Sequence, residues 1–246
     1  RANAQIFHDA NNDNVYLAYV EYLDFYEDIV FKQLLNNGQE VPSSMHILNF
    51  DTSDEIFDGM MILENGSNAG EILVSSEKNI APDTPVNTVH LLNNDASVSR
   101  NFDGGFNLLS DKSLSFFSSY FGPMLELPDG SIVYTELDSM NNIVIYKALD
   151  IDLTPDLSFV PSVGYVTVNM PSFSTISDIQ YDLANDAIIV VGSTNNSGED
   201  AFIIKVNASD GSLFNGGSYS NGLAIFDVTG TSGDDTRNRI LKFDDF

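Results

Sequence analysis

The sequence predicts an all-β fold built from four similar four-stranded units. Short apolar runs are interrupted at intervals of roughly 8 to 12 residues by Gly, Asn, Asp and Ser, and few stretches keep the 3.6-residue apolar spacing of a helix. One pattern also recurs with a constant period of 57 residues. Tandem four-stranded units of this length favour a β-propeller over a solenoid, whose rungs are usually about half as long or shorter.

The period is clearest in a strand that ends at a turn-forming residue. The segments that carry it are DIVFKQLLNNG, VNTVHLLNND, IVIYKALDID and AFIIKVNASDG. Their turn-forming residues lie 57 positions apart, at Asn36, Asn93, Asp150 and Asn207. The preceding residue is always apolar, and we predict that it is the last inward-facing side chain of its strand: Leu35, Leu92, Leu149 and Val206.

Three further strands per unit recur in the same register. Largely buried inner strands are predicted at VYLAYV, EILVSS, SIVYTEL and AIIVVGS, which follow the turns NNDN, ENGSNAG, LPDG and LAND. The strands before those turns are AQIFHD, FDGMMILE, FGPMLEL and ISDIQYDL, and a fourth strand per unit comes from HILNF, FNLLS, GYVTVN and GLAIFDV. EYLDFYEDIVFKQLL, residues 21–35, also fits an amphipathic helix, but the repeat places a turn and an outer strand there.

The predicted organisation is a single β-propeller domain or a partial propeller. Its approximate blades are residues 1–52, 53–110, 111–170 and 171–230, and residues 231–246 supply the first strand of a further blade. Because an unpaired edge strand invites aggregation, we expect the chain to be part of a larger propeller, or a partner to complete that edge. Numbering that begins at Arg1 also suggests a processed or partial chain.

The runs LPDGSIVYTEL and IIVVGSTNNSGEDAFIIKVNASDGSLFNGG resemble bacterial repeat propellers of the delta-60 type, each with a family-like DG turn. The resemblance is good across residues 125–246 and weaker across 1–124. It lies mainly in turns and strands. It therefore implies a fold and names no active site.

Composition restricts the partners and the compartment. Ten basic residues against 36 acidic ones give a formal net charge of −26, which repels nucleic-acid phosphates and anionic lipid headgroups. An acidic surface suits a secreted, cell-surface or periplasmic protein in a saline medium. The chain has no cysteine, which fits either redox compartment, and no apolar run approaches the roughly 20 residues that span a bilayer.

Two acidic segments could bind a cation. His8 precedes Asp9, Asn11 and Asp13, whose alternating oxygen-bearing side chains resemble the start of a calcium loop. The later glycine and glutamate of such a loop are missing, and a hairpin turn explains these residues better. Asp150, Asp152 and Asp156 fall in an inter-strand turn and are expected to be solvated. We therefore predict no cofactor, with calcium as the open alternative.

Other chemical signals are weak. The carboxylate pairs Asp234–Asp235 and Asp244–Asp245 have no defined spatial separation, and Ser75 with Lys78 matches S-x-x-K in a predicted turn without its companion motifs. The three histidines, His8, His46 and His90, are widely separated in the sequence. Three asparagines begin N-x-S sequons: Asn65, Asn195 and Asn207. Four aromatic residues are expected to fill a core: Phe116, Phe117, Tyr120 and Phe121.

The sequence favours a non-catalytic extracellular or cell-surface scaffold of bacterial type that binds a protein or glycan partner. One alternative is a subunit that docks into a larger surface complex through its open blade edge. The other is a glycan lyase or hydrolase with its site at the mouth of the central channel. Fold alone decides none of these.

Overall fold

The computed structural model describes residues 4–9, 14–23, 26–35, 37–42, 45–48, 55–80, 84–93, 98–100, 121–151, 153–195 and 199–226. Within these ranges the regular structure is β-strand, with two short 3-10 turns at Gly66–Asn68 and Leu183–Asn185. No helix in the described ranges is long and apolar enough to cross a membrane. The predicted all-β class is confirmed.

Sixteen strands in the described ranges form four antiparallel sheets of four. The first sheet contains β1 (Ala4–Asp9), β2 (Asn14–Leu23), β3 (Tyr26–Leu34) and β4 (His46–Leu48). The second contains β5 (Glu55–Ile62), β6 (Ile72–Ile80), β7 (Thr84–Leu92) and β8 (Val98–Arg100). The third contains β9 (Phe121–Glu126), β10 (Ile132–Leu137), β11 (Ile143–Ala148) and β12 (Tyr165–Val168). The fourth contains β13 (Ser174–Asp182), β14 (Ala187–Asn195), β15 (Glu199–Asn207) and β16 (Leu223–Phe226).

Neighbours in every sheet are consecutive in the chain, as tandem hairpins require. The helical alternative for residues 21–35 is wrong, because this stretch completes β2 and forms β3. In the second sheet the strand beside β7 is Val98–Arg100, whereas the predicted FNLLS lies outside the described residues. Residues 231–246 and the aromatic residues Phe116, Phe117 and Tyr120 also lie outside them.

The predicted inward residues at the strand ends divide into two pairs. Leu92 and Val206 are fully buried, as expected. For Leu35 and Leu149 the prediction is wrong, since they are 46% and 56% exposed. β3 and β11 each end one residue earlier, so that these two leucines belong to the following turns, where their backbone N–H groups bond to the carbonyls of Gln39 and Thr154.

The chain divides into two compact units. The first holds the first and second sheets, whose shared core contains Phe31 and Phe57, and the Gln5 side chain accepts a hydrogen bond from the Met60 backbone N–H at 3.1 Å. The second holds the third and fourth sheets, with Ile145 and Phe202 fully buried. A sheet buries its apolar face only when another layer covers it. Each unit meets this requirement with two sheets.

Gly192 on β14 marks a close approach within the second unit. A Cβ at this position would meet the Thr175 carbonyl oxygen and the Phe202 ring. The absence of a side chain therefore lets β13 and β14 pair while the Phe202 ring lies over the strand.

Candidate functional site

A groove of about 670 Å³ lies between the outermost described strands of the third and fourth sheets, β12 and β16. Of the lining residues that the structure describes, half are apolar and half are neutral and polar, and none carries an ionisable side chain. The lining residues are Thr167, Asn169, Met170, Pro171, Leu213, Ser218, Ser220, Asn221, Leu223 and Ile225. The chain as a whole has a net charge of −26. A ligand in this groove would contact these uncharged side chains and would not have to remove water from a charged one.

The walls of the groove are built by two ordered turns. On one side the Asn142 side chain, in the turn between β10 and β11, accepts a hydrogen bond from the Met170 N–H at 3.2 Å. On the other side the Asn215 side chain accepts from the Asn221 N–H at 2.8 Å, and the Gly216 and Tyr219 backbones bond to each other. The groove is therefore framed by hydrogen-bonded loops, as a pre-formed binding site requires.

A second candidate is the buried carboxyl group of Glu136 on β10. The Tyr146 hydroxyl donates a hydrogen bond to Glu136 Oε1 from the neighbouring strand β11. Burial raises the pKa of Glu136 to about 6, against the opposing effect of this hydrogen bond. Glu136 can therefore change its protonation state near neutral pH.

Tyr146, which donates to this carboxyl group, belongs to a row of three tyrosines. The rings of Tyr134 and Tyr146 stack with centroids 4.7 Å apart and planes within 6° of parallel, and Tyr165 lies 5.2 Å from Tyr146. Burial raises the pKa values of Tyr134 and Tyr146, so both hydroxyls stay protonated at any physiological pH. Within this cluster the Tyr146 hydroxyl is the group shown to donate to the Glu136 carboxyl.

A hydrolytic site would need a second carboxylate positioned across the substrate from Glu136. Asp138, two residues along, is held in the turn between β10 and β11. Its Oδ1 accepts from the Met140 and Asn142 N–H groups at 2.8 Å, and its Oδ2 accepts from Asn142 Nδ2 at 2.9 Å. Asp138 thus closes a turn, and Glu136 is not among the residues that line the groove.

A third cluster is the buried ion pair between Lys147 on β11 and Asp156. Their side chains are each 8% exposed, and Lys147 Nζ lies 3.4 Å from Asp156 Oδ2. Lys147 also donates to the Ala208 carbonyl oxygen at 3.3 Å, which joins the third sheet to the turn after β15. Asp156 accepts from the Ser158 N–H at 2.9 Å and its hydroxyl at 2.6 Å. This cluster therefore ties the two sheets of the second unit together.

The acidic segments predicted from sequence are placed as follows. Asp156 is buried and ion-paired, so the expectation of a solvated side chain is wrong for it, whereas Asp150 is exposed and Asp152 lies outside the described residues. His8 is exposed on β1, Asp9 ends that strand, and Asn11 and Asp13 lie outside the described residues. Over the ranges that the structure describes, no three His, Cys, Asp or Glu side chains converge on a possible metal site.

The other motif residues occupy ordinary structural positions. Ser75 and Lys78 lie within β6, and not in a turn as predicted, because β6 continues to Ile80. The Ser75 hydroxyl donates to the Gly59 carbonyl oxygen at 3.2 Å. His46 and His90 belong to β4 and β7, and the carboxylate pairs Asp234–Asp235 and Asp244–Asp245 lie outside the described residues.

The sequon residues are also placed by the fold. Asn65 precedes the 3-10 turn at Gly66–Asn68, and Asn195 ends β14. Asn207 ends β15, and its side chain accepts from the N–H and hydroxyl of Ser209. Asn207 thereby closes the turn that follows its strand.

Sequence reasoning missed a signal for the ion pair. A basic residue recurs on the third strand of each sheet, 57 or 58 positions apart, at Lys32, His90, Lys147 and Lys205. All three lysines form ion pairs, with Glu40, Asp156 and Asp182 respectively. Because this base follows an apolar run in each strand, it could have predicted a charge partner. The groove has no comparable sequence signal, since its walls come from strands of different repeats.

Comparison with known proteins gives no family. No protein-family model and no curated protein matches the chain. Among solved structures, a β-fructofuranosidase of glycoside hydrolase family 32 from Bombyx mori matches with a TM-score of 0.41 and 8% identity, over 85% of this chain and 50% of that one. A prolyl endopeptidase matches with a TM-score of 0.36 and 12% identity, over 90% of this chain and 35% of that one. This chain therefore spans half the length or less of either protein, and at these values neither activity transfers to it.

Proposed function

We propose that this chain is a non-catalytic binding module whose groove between β12 and β16 holds a protein or glycan partner. The observation that carries the proposal is the uncharged lining of that groove in a strongly acidic chain. A mixed apolar and neutral polar lining supplies both contact area and orienting hydrogen bonds. The hydrogen-bonded loops around it keep the site in place before a partner arrives.

The fold that we propose for this module is a β-propeller whose blades are the four sheets, of the delta-60 repeat type. Consecutive four-stranded antiparallel sheets support it. We further propose an extracellular or cell-surface location, for which the net charge of −26 is the support, and a place in a larger surface assembly as the alternative role.

The test is a parallel screen of the labelled protein against a displayed library of random peptides and against a glycan array. Ligands that emerge are then titrated against Ser218→Trp, whose indole would fill the groove. We expect Ser218→Trp to weaken binding at least about tenfold, the equivalent of about 1.4 kcal/mol. The matched control is Ser177→Trp, the same substitution at an exposed position on β13 outside the groove.

The control should leave the dissociation constant within about twofold, and both variants should keep the thermal unfolding midpoint of the parent, which separates blocked binding from damaged folding. Equal effects of the two tryptophans on every ligand would refute a binding site in the groove. A screen in which no ligand emerges from either library would refute it as well.

The second candidate function is a glycan lyase or hydrolase, and the observation that favours it is the protonatable carboxyl of Glu136. That reading requires turnover of a glycan substrate and its loss in Glu136→Gln. The turn-bound position of Asp138 argues against a paired carboxylate there. We therefore place it second.

A further inference from the structure

We infer that the groove takes an extended polypeptide segment of a partner protein, uncharged where it lies in the groove and hydrogen-bonded to the edge of β12 as an added strand. The inference rests on the proposed function and specifies the partner for the same site.

Thr167 lies at the edge of the third sheet, and its side chain lines the groove. The Lys147 N–H bonds to the Gly164 carbonyl, so residues 147 and 164 form a hydrogen-bonded pair of the antiparallel ladder. The pairing alternates along the strands, which makes Val144 opposite Thr167 a non-hydrogen-bonded pair. The N–H and C=O of Thr167 therefore point away from β11, while its side chain lines the groove.

The opposite wall repeats this geometry at Ile225. The Lys205 N–H bonds to the Gly222 carbonyl, and the same alternation makes Phe202 opposite Ile225 a non-hydrogen-bonded pair. The backbone groups of Ile225 point away from β15, and its side chain lines the groove beside Leu223. Both sides of the groove thus combine outward backbone groups with side-chain contact area, which is what an added strand uses for affinity and for specificity.

The side chains indicate which segment fits. Leu213, Leu223 and Ile225 offer aliphatic contact for apolar side chains on one face of the segment. The neutral lining makes no ion pair with a charged side chain and would leave its charge desolvated. None of the ten lining residues that the structure describes is aromatic, and this part of the lining offers no flat ring on which a sugar ring would stack.

Charge sets what flanks the segment. A net charge of −26 repels an acidic partner and attracts a basic one over the distance of a Debye length. We therefore expect a segment with alternating aliphatic residues and with Lys or Arg outside the groove. Its association rate should fall as salt is added, because steering by the acidic surface is screened.

The deciding variant is Thr167→Pro. Proline removes the outward N–H of Thr167, and its ring obstructs the edge of β12 where a strand would add. It deletes no hydrogen bond to β11, because the hydrogen-bonded pairs with β11 are formed by Val166 and Val168. The matched control is Thr167→Val, which keeps the N–H and the branched shape. For peptides that emerge from the displayed library, we expect a loss of at least about tenfold with proline and less than about threefold with valine.

A second measurement tests strand addition even if Thr167→Pro does not fold. A selected peptide is synthesised with single N-methylated amides along its length, and strand pairing predicts losses at every second position. Losses at consecutive positions, or none, would overturn strand addition. These binding measurements use the unmodified protein.

The outcomes separate this inference from the proposed function. Peptides blocked by Ser218→Trp that bind Thr167→Pro as well as the parent would overturn the added strand and leave the groove as the site. Glycans selected in place of peptides and blocked by Ser218→Trp would do the same. Ligands indifferent to Ser218→Trp would overturn both proposals.

Discussion

Replacing Asp156 with alanine is expected to lower the free energy of unfolding by about 3 to 5 kcal/mol, because it leaves the buried Lys147 ammonium without its carboxylate. Chemical denaturation at neutral pH measures the change. Lys147 also donates to the Ala208 carbonyl, but a neutral carbonyl does not balance a buried charge as a carboxylate does. The substitution should therefore weaken the contact between the third and fourth sheets.

Two further variants serve as controls for Asp156→Ala. Glu40→Ala breaks the Lys32–Glu40 pair, in which Glu40 is 48% exposed, and it should have only a small effect because water screens the charges. Lys147→Met combined with Asp156→Leu should recover most of the lost stability, because neither charge of this pair then remains buried. An Asp156→Ala effect as small as that of Glu40→Ala would contradict the assigned role.

The same ion pair sets a pH dependence. Burial raises the pKa of Asp156, but the hydrogen bonds from Ser158 and the charge of Lys147 outweigh it, so the pKa lies below its ordinary value. The unfolded chain therefore binds a proton more tightly than the native state. The ion pair therefore stabilises the fold fully above the pKa of Asp156 in the unfolded chain, about 3.9. This stabilisation is lost as the pH falls through the lower pKa of Asp156 in the native state.

Glu136→Gln is expected to stabilise the protein by about 2 kcal/mol at pH 7.5 and to leave it unchanged at pH 4. The pKa of Glu136 is raised from 4.5 to about 6, so the native state binds its proton more tightly than the unfolded chain. Stability of the parent therefore falls as pH rises between these two values. Glutamine is neutral at every pH and can still accept the Tyr146 hydrogen bond.

Denaturation of the parent and Glu136→Gln across pH 4 to 8 measures this difference. A destabilised Glu136→Gln at pH 7.5 would show that the fold uses the ionised carboxylate, which would contradict burial as the dominant effect on its pKa.

How far the sequence predicts this structure depends on whether a feature lies within one repeat. The strands could be predicted because turn residues such as Asp138 and Asn207 close hairpins by local hydrogen bonds. The burial of Leu92 and Val206 follows from strand alternation, but that of Leu35 and Leu149 was wrong because their strands end one residue earlier. Strand ends depend on contacts that a repeat period does not encode.

The candidate sites were harder to predict for the same reason. All six residues of β10 are buried, so a sequence pattern that separates a buried face from an exposed one could not show that Glu136 is enclosed. The Lys147–Asp156 pair bridges a strand and a loop, and its contact with Ala208 comes from the next repeat. The groove requires β12 and β16 to lie beside each other, which is a property of sheet packing.

The most direct test of the groove as the binding site is hydrogen–deuterium exchange of the protein with and without a ligand selected by the screen. The binding account predicts slower exchange in residues 165–171 and 213–226, which contain the groove lining, and little change in β10 and β11. Protection concentrated around Glu136 and Tyr146, with the groove segments unchanged, would contradict it and move the site to the buried carboxyl cluster.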